Sequence, residues 1–328
     1  EAVEAHTTDP VILAVPSFEA PPVLPVDSEQ TTFDTVMAKR KAPSVMVDAY
    51  ELKRALAQLK PVVPKRGALP VLTGVRLVAD AAGVRLTGTD LEVTVTVGID
   101  AEVDQAGAAV IPLKLVHDVV TKATARRSEP VVLTVDGDDV DVVMGRRTRR
   151  LRILDVEEFP RLAQVESEQM VTVDGARLAD LLPALSDDDA RPILTGLFMG
   201  GVDGQMAATD SDRLYVADGP VLDAPILVPG RAIKEVVRAG GNPIMFPGDR
   251  DVRFEWADRR LRVVARLIDG EFPNYRGLIP ASHPTQWTFT DPAELVDALT
   301  ALKGFGAANT PVRIQAAPGG VTLTMTCQ

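Results

Sequence analysis

A chain of 328 residues is too long for one ordinary domain and implies two or three. Its 46% hydrophobic and 25% charged residues match a soluble globular protein, and no apolar run approaches the length that spans a bilayer. The net charge of −11 speaks against general nucleic-acid binding, but a net charge is only a sum and leaves room for a local basic face.

Residues 1–43 hold seven acids, three bases and six prolines, for a net charge of −4, and read as a disordered acidic Pro-rich tail. The sequence begins at Glu1, and Met37 is an alternative start that would leave much of this tail untranslated. The apolar stretch Val11–Val15 is too short for a signal core and has no basic segment ahead of it, so no secretion signal and a cytoplasmic location are expected. Cys327 is the only cysteine, which excludes an internal disulfide and argues against a Cys/His metal site.

From Ser44 onward the chain repeats itself. The alternating run Val45-Met46-Val47 ends on Asp48, and Leu52, Leu56 and Leu59 follow at helical spacing. Val171-Thr172-Val173 ends on Asp174 before Leu178, Leu182 and Leu185; Trp287-Thr288-Phe289-Thr290 ends on Asp291 before Leu295, Leu299 and Leu302. Each is a short strand, an aspartate placed to cap a helix, and an amphipathic helix. Next come Pro70-Val71-Leu72-Thr73-Gly74 leading to Gly88-Thr89-Asp90-Leu91, then Pro192-Ile193-Leu194-Thr195-Gly196 leading to Ala208-Thr209-Asp210. Pro311-Val312-Arg313-Ile314 leads to Val321-Thr322-Leu323-Thr324-Met325 in the third copy. A second strand-to-helix unit reads Val110-Ile111-Pro112 into Leu115, Val119 and Val120, and Leu227-Val228-Pro229 into Ile233, Val236 and Val237. The pattern predicts an α+β protein with two helices on an antiparallel sheet in each repeat. Two repeats, 44–163 and 164–281, are complete, and 282–328 make a partial third. Matching edges would let adjacent sheets join.

Leu69-Pro70-Val71-Leu72, Leu86-Thr87-Gly88-Thr89-Asp90-Leu91-Glu92, Ala208-Thr209-Asp210-Ser211-Asp212-Arg213-Leu214 and Leu267-Ile268-Asp269-Gly270-Glu271-Phe272-Pro273-Asn274-Tyr275-Arg276 resemble, in order and spacing, the bacterial DNA sliding clamps, the beta subunit of the replicative polymerase. The resemblance runs from Ser44 to Gln328. It implies tandem DNA-clamp domains, two chains closing head to tail into a ring around duplex DNA, and a processivity factor with no catalytic activity and no cofactor. It further implies a groove that takes short linear motifs from the replicative polymerase, the clamp loader and repair proteins, with Leu194, Thr209, Ser211, Arg213, Leu214, Pro273 and Leu278 among its residues. Two positions depart from the family: Gly277 stands where a second arginine is common, and Asp212 where His is usual. Both bear on partner preference.

Lys65 and Arg66 precede Leu69-Pro70 in a loop whose arginine resembles one that faces DNA, and Lys114, Arg191 and Arg231 flank helices that would line the hole. Such contacts should be to phosphates, because a sliding protein reads no sequence. In Gly145-Arg146-Arg147-Thr148-Arg149-Arg150-Leu151-Arg152, strand alternation puts Arg146, Arg150 and Arg152 on one face and Arg147 and Arg149 on the other. A charged strand protects a sheet edge, and by resemblance this edge, near Arg146, meets the second subunit. Asp187-Asp188-Asp189 would point three ways and make a poor metal site, and His6, His117 and His283 have no nucleophile beside them, so no metal or catalytic site is expected. A different class remains open: a clamp-like protein that binds clamp partners without encircling DNA. A further ~70 residues would complete a third repeat of this period and discriminate the two; without them the chain is expected not to close a ring.

Overall fold

The computed structural model describes residues 42–67, 69–123, 130–201, 203–282, 288, 291–303, 305, 310–317 and 320–325. Residues 1–41 of the expected tail, Cys327, His283 and most of the strand expected at Trp287–Thr290 lie outside them. The described chain forms two compact units, divided between Phe272 and Pro273.

In the first unit, β1 (Ser44–Asp48) alternates buried and half-buried residues and runs into α1 (Ala49–Leu59). The Asp48 carboxylate starts the helix by accepting from the backbone N–H of Tyr50 (2.8 Å) and Glu51 (3.0 Å). Leu52, Leu56 and Leu59 are wholly buried, each contributing about 1.5–3 kcal/mol of transfer free energy. A 3₁₀ turn at Pro70–Thr73 leads into β2 (Gly74–Asp80), β3 (Gly83–Thr89), β4 (Val93–Ile99), β5 (Ala101–Gln105) and β6 (Gly107–Pro112), then α2 (Leu113–Ala123). The helix buries Leu113, Val116 and Val120 and leaves Val119 half-buried and Leu115 exposed, which corrects the stripe expected through Leu115, Val119 and Val120. Strands β7 (Pro130–Asp136), β8 (Asp139–Met144) and β9 (Arg147–Arg152) follow.

The second repeat retraces this path with β10 (Val171–Thr172), α3 (Gly175–Leu181), β11 (Gly196–Gly200), β12 (Gln205–Thr209), β13 (Leu214–Asp218), β14 (Ile226–Pro229), α4 (Gly230–Ala239), β15 (Ile244–Pro247), β16 (Asp251–Trp256) and β17 (Leu261–Arg266). Helix α3 is capped by Asp174 as α1 is by Asp48, but it is shorter. Pro183 removes a backbone donor, and the chain continues as a 3₁₀ turn over Leu182–Ala184.

All sheets are antiparallel. One has five strands in the order β5-β1-β7-β8-β9, one has four in the order β13-β12-β11-β14, and one has eight in the order β10-β15-β16-β17-β4-β3-β2-β6. In that largest sheet β17 pairs with β4, with Leu261 opposite Val97, Val263 opposite Val95 and Ala265 opposite Val93. The expected joining of sheets edge to edge occurs here, and one buried core runs unbroken from Leu52 through Val95 and Val263 to Phe254 and Leu178. Helix α1 lies against α2, and α3 against α4. The connector after β9 is fastened to both repeats: Arg76 on β2 sits over the Phe159 ring at 5.5 Å, and Arg253 on β16 donates to the Val165 carbonyl at 3.0 Å.

The second unit holds a 3₁₀ turn at Tyr275–Leu278, α5 (Pro292–Lys303) and the hairpin of β18 (Val312–Ala317) with β19 (Gly320–Met325). Asp291 accepts from the Ala293 N–H at 2.8 Å, a third use of the same cap. Leu295, Leu299 and Leu302 are only half-buried, whereas their counterparts on α1 are wholly buried.

Candidate functional site: a duplicated threonine–aspartate turn

Four of the residues expected to form the groove, Thr209, Ser211, Arg213 and Leu214, fall on a turn that occurs twice. In the first repeat the Thr89 hydroxyl donates to the Val93 carbonyl (3.0 Å) and accepts from the Leu91 N–H (3.1 Å). Asp90 accepts from the N–H groups of Glu92 (3.1 Å) and Val93 (2.8 Å), and Leu91 has φ +83°. In the second repeat Thr209 donates to the Arg213 carbonyl (2.8 Å) and accepts from the Ser211 N–H (3.2 Å). Asp210 accepts from the N–H groups of Asp212 (3.0 Å) and Arg213 (3.1 Å), and Ser211 has φ +84°. These four bonds of one turn each have a partner in the other; the first turn adds a bond between the Thr89 and Thr94 hydroxyls (2.9 Å) that Leu214 cannot match. A non-glycine residue at positive φ is uncommon and strained, and here four side-chain hydrogen bonds enforce it.

The two turns differ in what they present. In the second copy Asp210 also takes Arg213 Nε at 2.8 Å. That bond, with help from the two backbone N–H groups, outweighs partial desolvation and holds the Asp210 carboxyl below the usual carboxylate range; the Arg213 guanidinium is raised in turn. Arg213 stays exposed and Leu214 half-buried at the start of β13. Leu194 lies on the 3₁₀ turn Pro192–Thr195 with 9% exposure. Arg191, just before that turn, donates to Ser211 Oγ at 2.7 Å and to Asp188 at 2.8 Å, so one side chain ties the Leu194 turn to the Thr209–Leu214 turn. Asp188 is held low chiefly by that bond from Arg191. Pro273 and Leu278 belong to the second unit; both are exposed, Leu278 to 75%.

The expected DNA-facing cations divide. Lys65 and Arg66 lie exposed in the loop after α1, and Lys114 is exposed in the first turn of α2. Arg231, in the first turn of α4, is engaged by Asp90 and by Glu92 at 3.0 Å, which fastens the second repeat to the turn of the first. Nothing in the sequence signalled that clasp or the Arg191–Ser211 bond, because each joins residues distant along the chain. The Asp210 buttress was signalled only by the repetition of Thr-Asp. Arg146 is exposed in the turn before β9, and β9 is the outer strand of its sheet, bonded only to β8. Arg150 meets Asp141 at 2.6 Å, and Arg152 meets Asp138 at 2.8 Å.

Tandem repeats of paired helices on antiparallel sheets, merged through a shared sheet, define a DNA-clamp fold. The chain belongs to the bacterial beta sliding clamp family. Residues 44–163 match the family model of the DNA polymerase III beta subunit, N-terminal domain. The beta sliding clamp of Streptomyces coelicolor is 29% identical over 299 residues, covering 85% of this chain and 78% of that one. That of Synechococcus elongatus is 31% identical over 250 residues, covering 70% and 66%. Among solved structures, a Caulobacter crescentus beta sliding clamp superposes with a TM-score of 0.78 at 24% identity, covering 88% of this chain and 81% of that one.

Proposed function

We propose that this chain is the processivity factor of a replicative DNA polymerase: a sliding clamp that encircles duplex DNA and tethers polymerase, clamp loader and repair proteins through a peptide groove. It is a non-catalytic subunit, needs no cofactor, and works in the cytoplasm, as a homodimer when full length. Its domains are 44–163, 164–281 and a partial third at 282–328, preceded by an acidic tail at 1–43. Head-to-tail contact would use the outer strand β9 near Arg146. Leu194, Thr209, Ser211, Arg213 and Leu214 would line the groove with Pro273 and Leu278, and Lys65, Arg66 and Lys114 would touch phosphates. Arg191 and Arg231 would reach a phosphate only by releasing a carboxylate.

The observation that best supports this reading is the rigid second turn, which offers an exposed guanidinium and a half-buried leucine beside Leu194. An apolar patch with a few fixed polar groups suits an extended peptide. Calorimetry with a polymerase tail peptide ending in apolar residues tests it. Arg213→Ala and Leu194→Ala should each weaken binding by about 1–2 kcal/mol, roughly 5- to 30-fold. Unchanged affinity in both variants would overturn the groove.

A further inference from the structure

The two helix pairs of the first unit differ in charge. The α1 segment with its following loop (48–66) and α2 (113–123) together carry a net +4. The matching segments of the second repeat, 174–191 and 230–239, carry a net −1. The pairing of individual side chains sharpens the contrast. Lys53, Arg54 and Lys60 on and just after α1, Lys65 and Arg66 in the loop, and Lys114 and Lys122 on α2 have no carboxylate in ion-pair contact among the described residues. In the second repeat every cation of the matching segments is taken. Arg177 meets Asp174 and Asp218, both at 3.6 Å; Arg191 meets Asp188; Arg231 meets Asp90 and Glu92; Lys234 meets Asp187 at 3.2 Å; Arg238 meets Glu235.

We propose that the duplex is held by the α1–α2 face, with Lys53, Arg54 and Lys60 adding to the phosphate contacts, and that the α3–α4 face makes none. This rests on the encircled-DNA reading and adds an asymmetry to it. Exposed ion pairs are individually weak, so pairing alone would not stop a phosphate from claiming an arginine. The net charge decides: a phosphate that did so would leave the displaced carboxylates facing the rest of the backbone. The cleft of about 620 Å³ beside α4 illustrates this, since its Arg231, Lys234 and Arg266 are matched by Glu92, Asp187 and Asp189. On the first face Asp48, Glu51 and Asp118 are outnumbered by seven cations that no described carboxylate pairs, so a phosphate there meets a net positive field and releases counterions.

The test is the salt dependence of binding to a short mixed-sequence duplex at low salt, read by fluorescence anisotropy on the whole chain. Each phosphate contact adds about 0.9 to the slope of log affinity against log salt. The triple variant Lys53→Gln, Arg54→Gln, Lys60→Gln should lower the slope by about 2–3. The double variant Arg177→Gln, Lys234→Gln should leave it unchanged. Equal losses in the two variants, or a larger loss in the second, would overturn the asymmetry while leaving the clamp reading intact. A parent chain with no salt-dependent binding at all would overturn this inference, whereas the encircled-DNA reading is tested separately by retention on nicked circular DNA and release when that DNA is cut. All five positions lie on exposed or half-exposed helix surface or just after a helix, and matching melting temperatures would show that the comparison is between folded proteins.

Discussion

Because the threonine–aspartate turn occurs twice, the molecule contains its own control for the groove. Thr→Val keeps the shape of the side chain and deletes both hydroxyl bonds. At Thr209 those are the 2.8 Å bond to the Arg213 carbonyl and the 3.2 Å bond from the Ser211 N–H. A net hydrogen bond is worth about 0.5–1.5 kcal/mol, so two total roughly 1–3 kcal/mol. Thr209 is half-exposed and water can replace part of that, so the lower end applies. The loss frees Ser211 from positive φ and lets Arg213 and Leu214 wander, and a peptide must then pay to order them. We expect about a fivefold weaker peptide, which is ~1 kcal/mol. Thr89 makes the same two bonds and a third with the Thr94 hydroxyl (2.9 Å) at 2% exposure, where water cannot substitute. Thr89→Val should therefore destabilise the protein more, by about 2–3 kcal/mol, and leave peptide affinity alone. Calorimetry and thermal melting on both variants decide the matter. Equal weakening of the peptide by both, or by neither, would refute the link between this turn and the groove.

Two further outcomes follow from burial and charge. Asp210 has a folded pKa below its unfolded value, so its stabilisation is fully present above the unfolded carboxylate pKa of about 3.9 and is lost as pH falls from there through the folded value. Acid titration followed by circular dichroism should accordingly show a shallower acid limb for Asp210→Asn than for the parent; identical limbs would remove Asp210 as a buttress. Phe254 is wholly buried on β16 and its truncation to Ala should cost about 3–5 kcal/mol. Because β17 and β4 share one sheet, both repeats should lose stability together in a single melt, and a first repeat melting at its parental temperature would contradict that.

Much of the fold was legible because its signals are local. The caps at Asp48, Asp174 and Asp291 need only an aspartate beside a helix start, and the strand alternation around Val45 and Val171 needs only a period of two. The α2 stripe was misplaced because Leu113, Leu115, Val116, Val119 and Val120 fit more than one helical face, and only packing against α1 selects among them. The short α3 turned on Pro183, whose effect on the turn beyond Leu181 is a matter of one missing donor. Within the site, the exposed Arg213 and half-buried Leu214 were accessible from the repeat and the resemblance. The clasp of Arg231 on Asp90 and Glu92 was not, since 139 residues separate Glu92 from Arg231 and no periodic pattern connects them.

The paired turns also suggest how one gene segment came to serve two ends. Their framework uses only a threonine hydroxyl, an aspartate and backbone groups, so the side chains at 91–93 and 211–213 are free to diverge without loss of shape. In the older sense of a duplicated part, one copy has been spent on cohesion, with Asp90 and Glu92 gripping the neighbouring repeat. Its twin, relieved of that duty, turns its arginine outward. A protein made of repeats can thus carry one backbone turn in two chemical settings, one gripping a neighbouring repeat and one open to solvent.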